Sequence, residues 1–132
     1  MTVTTALDAQ IAVLRGRIAG RIVLPGDTDY DTARRVMYGG IDGHPAAIVF
    51  VADDADVAAV IALARETGAD LAVRSGGHSG KGDSTTEGGL VIDLRDIRSL
   101  EIDADAGTAW ADAKNVYALV ARDAPAALKR LL

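Results

Sequence analysis

The sequence predicts an α+β domain, a small mixed sheet with a βαβ core and helices packed on it. Three observations carry that prediction. Ala46-Ala47-Ile48-Val49-Phe50-Val51 is a continuous apolar run with the length and β-branched content of a strand covered on both faces. A helical stripe and a second short apolar run, Leu71-Ala72-Val73, follow within residues 46–73, the pattern of strand, helix and parallel strand with a right-handed crossover. A third apolar run, Leu90-Val91-Ile92-Asp93-Leu94, comes after a long polar, glycine-rich stretch.

The elements read in order as follows. Thr5 caps a helix over Ala6–Ala19, because Leu7, Ile11, Leu14 and Ile18 recur at the spacing of one buried stripe, and Gly20 stops it. Leu24-Pro25-Gly26-Asp27 is turn chemistry, since Pro25 presets a turn dihedral and Gly26 tolerates positive φ. Asp31 or Thr32 begins a short helix from Ala33 to Tyr38, closed by Gly39-Gly40. After the strand at 46–51, Asp53 or Asp54 supplies an N-cap, Val57, Val60, Ile61 and Ala64 give helical spacing, and Gly68 is the C-terminal stop. Strands follow near 71–74 and 90–94, with an antiparallel extension near 99–103 and 108–110 turning at Asp105-Ala106-Gly107. From Ala111 the character is helical, with a stripe of Val116, Leu119 and Val120 interrupted at Pro125.

Composition narrows the function. The chain has 132 residues, near the usual size of one domain, and 49% of them are hydrophobic, too many for a disordered chain. Fourteen basic against nineteen acidic residues give a net charge of −5, which argues against a nucleic-acid partner that must neutralise phosphates. The absence of cysteine excludes disulfides, thiol catalysis and cysteine-ligated metals. No run approaches the roughly 18 apolar residues of a membrane span, and Met1-Thr2-Val3-Thr4-Thr5 has neither the basic nor the apolar region of a signal peptide. The expectation is a cytoplasmic protein with no membrane partner. His44, just before Pro45, reads as an exposed turn residue, and Asp93 as a strand-end capping group rather than an acid catalyst.

The glycine-rich stretch carries the chemistry. Six of the 14 glycines fall between Gly76 and Gly89. Such a segment lets backbone N–H groups turn toward an anion, because a chain without Cβ atoms can approach closely and visit positive φ. Arg74 and Lys81 add positive charge, and Ser75, Ser79 and Ser84 add hydroxyl donors, so the residues describe a diphosphate cradle, the alternative being a mobile surface loop. It is not a Walker A loop: the position five before Gly80-Lys81 is Ser75, and Gly82 follows where a Ser or Thr is required. The G-x-G-x-x-G fingerprint fails too, since a strand and no helix comes next.

The string Arg74-Ser75-Gly76-Gly77-His78-Ser79, with Gly88-Gly89-Leu90-Val91-Ile92-Asp93-Leu94 after it, resembles the N-terminal FAD-binding subdomain of the PCMH-type FAD-linked oxidases, the vanillyl-alcohol-oxidase and berberine-bridge-enzyme-like family. Leu24-Pro25-Gly26-Asp27, Tyr30-Asp31-Thr32-Ala33-Arg34-Arg35, Pro45-Ala46-Ala47-Ile48-Val49 and Ala55-Asp56-Val57 support the resemblance, which spans about Arg21 to Trp110. It implies that Arg74, Ser75, Gly76, Gly77, His78 and Ser79 bind FAD, with backbone amides around the pyrophosphate, and that His78 can carry the flavin covalently, a ring nitrogen bonded to the flavin 8α-methyl. It also implies a division into a PCMH-type subdomain with its leading helix at 1–110 and a helical segment at 111–132 that departs from the family.

Family members continue into a second FAD subdomain and a substrate domain, which this sequence lacks. The expectation is therefore a truncated member: FAD binding as part of an oxidase, by a fragment not catalytic on its own, which would meet a small-molecule substrate only when completed by another chain. The segment from Ala111 is then a helix covering the face left by the missing subdomain, or the mark of a rearranged reading frame or an engineered minimal domain. The alternative function is a non-catalytic interaction domain that keeps the fold without flavin and self-associates through the truncated face.

Overall fold

The computed structural model describes residues 6–112; of the helical segment expected at 111–132, Ala111 instead ends a strand and residues 113–132 lie outside the described residues. The order is α1 (Ala6–Arg15), β1 (Arg21–Val23), α2 (Tyr30–Ala33), β2 (Ala47–Phe50), α3 (Asp54–Thr67), β3 (Leu71–Arg74), β4 (Leu90–Asp93), β5 (Leu100–Asp103) and β6 (Thr108–Ala111). The fold is α+β, as the sequence predicts. Its main sheet is mixed, in the order β1-β2-β4-β3: β1 runs antiparallel to β2, and β2 and β3 each run parallel to β4.

Alternation along the strands divides the core in two. Ala47, Val49 and Val51 of the β2 region and Leu90 and Ile92 of β4 face α1 and α3, where Ile11, Leu14, Val60, Leu63 and Ala64 cover them. Ile48, Phe50, Ala72 and Val91 face the other way, against Tyr30 and Ala33 of α2. A strand buried on both faces has no polar positions to alternate, which is why 46–51 reads as an unbroken apolar run. α3 begins and ends as its sequence predicts, with the Asp53 carboxylate accepting from the Asp56 amide and Gly68 closing it at φ 70°. No helix among the described residues is long and apolar enough to cross a membrane.

β2 and β3, the strands of the expected βαβ unit, are parallel as the sequence predicts, with β4 inserted between them. Three expectations need correction. α1 stops at Arg15, and Gly16, Arg17 and Ile18 continue only as a turn bonded back to Val13 and Leu14. α2 covers Tyr30–Ala33 rather than 33–38. A helix continued to Tyr38 would also need the Met37 amide on the Ala33 carbonyl, and both groups are engaged elsewhere: Met37 N donates to Gly77 O at 3.0 Å, and Ala33 O accepts from Arg74 Nη2 at 2.6 Å. Finally, β5 and β6 are antiparallel as expected but form a separate two-stranded sheet rather than an extension of the main one.

Candidate functional site

The parallel pairing aligns the carboxyl ends of β2, β3 and β4, with Phe50 and Arg74 each opposite Asp93. In open sheets with parallel strands, the carboxyl ends are where loops leave and ligands are held. Asp93, wholly buried at the centre of this row, receives Arg74 from one side and Arg95 from the other. Arg74 Nε donates to Oδ2 at 2.8 Å; Arg95 donates from its own amide and Nε to Oδ1 and from Nη2 to Oδ2, at 3.0, 2.9 and 2.8 Å. Burial pushes the Asp93 carboxyl upward, yet these arginines and the Arg95 amide outweigh it and hold it below its ordinary range. Arg95 and Arg21 also lie over the Phe50 ring, at 4.9 and 3.8 Å from its centre.

The glycine-rich stretch is the connection between β3 and β4. Parallel neighbours need a crossover of roughly a dozen residues or more, usually a helix; here residues 75–89 do the same without one. The crossover runs in step with residues 36–44. Gly77 O accepts from Met37, Gly82 packs against Ile41, Thr85 against Gly43, and Gly88 N donates to His44 O. His44 is half exposed beside Asp42 and Glu87, in agreement with its reading as an exposed turn residue.

The six residues singled out by sequence separate into two groups. Ser75, Gly76, Gly77, His78 and Ser79 form the first turn of the loop beyond β3, with Gly77 buried at φ 70° and His78 exposed. Their five amides find no acceptor among the described residues. The Ser79 hydroxyl accepts from the Lys81 and Asp83 amides, which turns the chain tightly. The His78 ring lies over Gly76, where an added Cβ would stand 2.7 Å from Cε1. Arg74 is different. It is 2% exposed, and its guanidinium is held by Asp93 and by the carbonyls of Ala33 and Arg34, so its charge is directed into the protein and not toward the loop.

Consecutive free amides in a glycine turn, with a left-handed residue among them, make a concave site for an anion. The bare backbone of Gly76 leaves room for the imidazole, so the residues present fit a diphosphate and a neighbouring ring. Ser84, counted from sequence among the hydroxyl donors, is buried farther along the crossover, and neither its Oγ nor Thr85 Oγ1 has a partner among the described residues. No group of three or more His, Asp or Glu among the described residues could hold a metal.

Sequence reasoning counted Asp56 only within the family resemblance and missed what its side chain does. Its carboxylate, 3% exposed in the first turn of α3, accepts from the amides of Ala19, Gly20 and Ala52 at 2.9, 2.8 and 2.9 Å. Burial raises its pKa, the three amides lower it, and the net direction is down. The one signal in the sequence was a third aspartate at a helix start already supplied with a cap.

Comparison with known proteins agrees with this geometry. The family model described as FAD binding domain matches residues 45–127. (R)-6-hydroxynicotine oxidase of Paenarthrobacter nicotinovorans is 35% identical over 65% of this chain and 19% of its own length. Berberine bridge enzyme-like 9 of Arabidopsis thaliana is 39% identical over 55% of this chain and 14% of its own. The solved structure of Physcomitrella patens BBE-like 1 superposes on 80% of this chain and 22% of its own with a TM-score of 0.71 and 28% identity. The chain thus spans about a fifth or less of the length of these proteins. Matched over more than half its residues, and similar in fold to berberine-bridge-like proteins, the chain belongs to the FAD binding domain family.

Proposed function

We propose that the chain holds the diphosphate of FAD on the amides of Ser75, Gly76, Gly77, His78 and Ser79, and bears the flavin covalently on an imidazole nitrogen of His78. In the whole protein it would serve as the first part of an FAD-dependent oxidase. The observation that carries this reading is the placement of five unengaged, consecutive amides in a glycine turn at the carboxyl ends of parallel strands. Bound flavin supplies a two-electron acceptor. The chain's own residues contribute the binding: amides for the diphosphate, and the His78 ring, exposed and seated on Gly76, for attachment. A neutral imidazole is nucleophilic near neutral pH, which suits that role.

The visible absorbance of the purified protein before and after acid precipitation tests both halves. Yellow colour that stays in the pellet, and is absent from the pellet of a His78→Ala variant, is the expected result. Colour released to the supernatant leaves FAD binding standing and removes the covalent link. A colourless protein that does not respond to added FAD overturns the reading.

A further inference from the structure

We propose that Arg74 and Asp93 are positioning residues for the diphosphate loop, acting through its backbone and never on the ligand; the proposal rests on the FAD reading above and concerns what shapes that site. Arg74 is the root of the loop, and an arginine there suggests a charge meant for a phosphate. Its surroundings point elsewhere. The guanidinium and the carboxylate it meets are 2% and 0% exposed, and Nη2 lies 2.7 Å from Asp93 Oδ2. Two further donations, to Ala33 O at 2.6 Å and Arg34 O at 3.3 Å, hold the far side of the guanidinium against the end of α2. Arg95 fixes the carboxylate from the opposite side, so neither member of the pair is free to turn.

The loop is suspended from this pair at two places. At its root, the Arg74 carbonyl accepts from the Leu94 amide at 2.9 Å, which locks backbone as well as side chain. Three residues on, Gly77 O accepts from Met37 N, and Met37 is free to donate because Arg74 has taken the Ala33 carbonyl that a continuing helix would offer it. Gly77 also packs on the Arg74 stem, for a Cβ there would lie 3.4 Å from Arg74 Cδ and 3.6 Å from Val36 Cα. Residues 75–77 are therefore held between Arg74 and the 33–37 segment before any ligand arrives. A loop shaped in advance loses less freedom on binding than one ordered by its ligand.

The positioning role and a direct role predict opposite signs for one substitution. Asp93→Asn takes the counter-charge from Arg74. Were Arg74 acting on the diphosphate, a released guanidinium would tighten FAD binding; with positioning, binding weakens. Measured by flavin fluorescence in a His78→Ala background, where no covalent bond can form, the dissociation constant for FAD should rise roughly tenfold or more on adding Asp93→Asn, the scale on which residues behind direct ligand contacts act. The Met37 amide, followed by hydrogen exchange, should lose its protection in the same variant. A folded Asp93→Asn chain that binds FAD as tightly as its His78→Ala parent, or more tightly, overturns the proposal. Should that variant fail to fold, the double variant Arg74→Met with Asp93→Leu replaces the fully buried pair by apolar side chains and leaves only the part-exposed Arg95 without its carboxylate; unchanged FAD affinity there overturns the proposal, and a loss with Met37 unprotected supports it. If the unaltered chain binds no FAD, the cofactor reading falls, and Met37 protection alone decides the positioning claim: retained in the folded variants, it overturns that claim too.

Discussion

Gly76 and His78 share one small space, and that shared space gives a sharp expectation. An alanine at Gly76 would bring its Cβ within 2.7 Å of the His78 ring, but the obstacle is an exposed side chain free to swing away. Gly76→Ala should therefore cost under about 1 kcal/mol of stability and lower the yield of acid-stable flavin several-fold. Gly77→Ala should behave in the opposite way. At φ 70° an alanine is strained by roughly 1–2 kcal/mol, so the melting temperature falls whether or not flavin is present. Thermal melts and acid-precipitated absorbance of the two variants check the pair; a large loss of stability in the first would show that the ring is fixed by more than Gly76. The site was legible at this scale because Arg-Ser-Gly-Gly-His-Ser is a run of neighbours. The direction in which Arg74 points was not, since that depends on a carboxylate nineteen positions away and two carbonyls about forty away.

Elements with local signals were readable, and elements defined by distant partners were not. α3 carries its own cap, stripe and stop, and β2 and β4 are apolar throughout. β1 has only three residues and is a strand because β2 accepts it as an antiparallel edge. α2 cannot run on to Tyr38 with its full ladder, because Arg74 at the end of β3 takes the Ala33 carbonyl and Gly77 from the loop takes the Met37 amide. The entrance to β1 depends likewise on Asp56 from α3, which satisfies the Ala19 and Gly20 amides. Asp56→Ala would leave those two donors and Ala52 N without an acceptor, and each buried unsatisfied group costs about 1–3 kcal/mol. The expected loss is about 3 kcal/mol or more, read as a lower urea midpoint with an unchanged slope. A loss below about 1 kcal/mol would mean that the turn before β1 is set by its own backbone and not by α3.

For the whole molecule, the order β1-β2-β4-β3 was hidden from sequence by the crossover itself. A helix between strands advertises a parallel connection, whereas residues 75–89 reach the same end of the sheet as irregular chain. That arrangement places one buried carboxylate, Asp93, at the strand ends, while Asp56 ties the opposite helical layer to the start of the sheet, and both carboxyls sit below their ordinary range. A carboxylate whose folded pKa is depressed contributes stability that is complete above its unfolded value, about 3.9, and lost as the pH falls through the folded value. Stability to urea should accordingly be level from neutral pH down to about 4 and then decline. Asp42, also depressed by Arg34, is exposed and should add little to the decline. Because Asp56 and Asp93 are buried, added salt should leave the profile nearly unchanged. In Asp56→Asn the neutral-pH stability should be lower and the acid decline shallower, since one titrating carboxylate has gone. A variant with the wild-type acid slope would assign the decline to Asp93 and its two arginines alone, and would place the acid-sensitive joint of the molecule directly beneath the diphosphate loop.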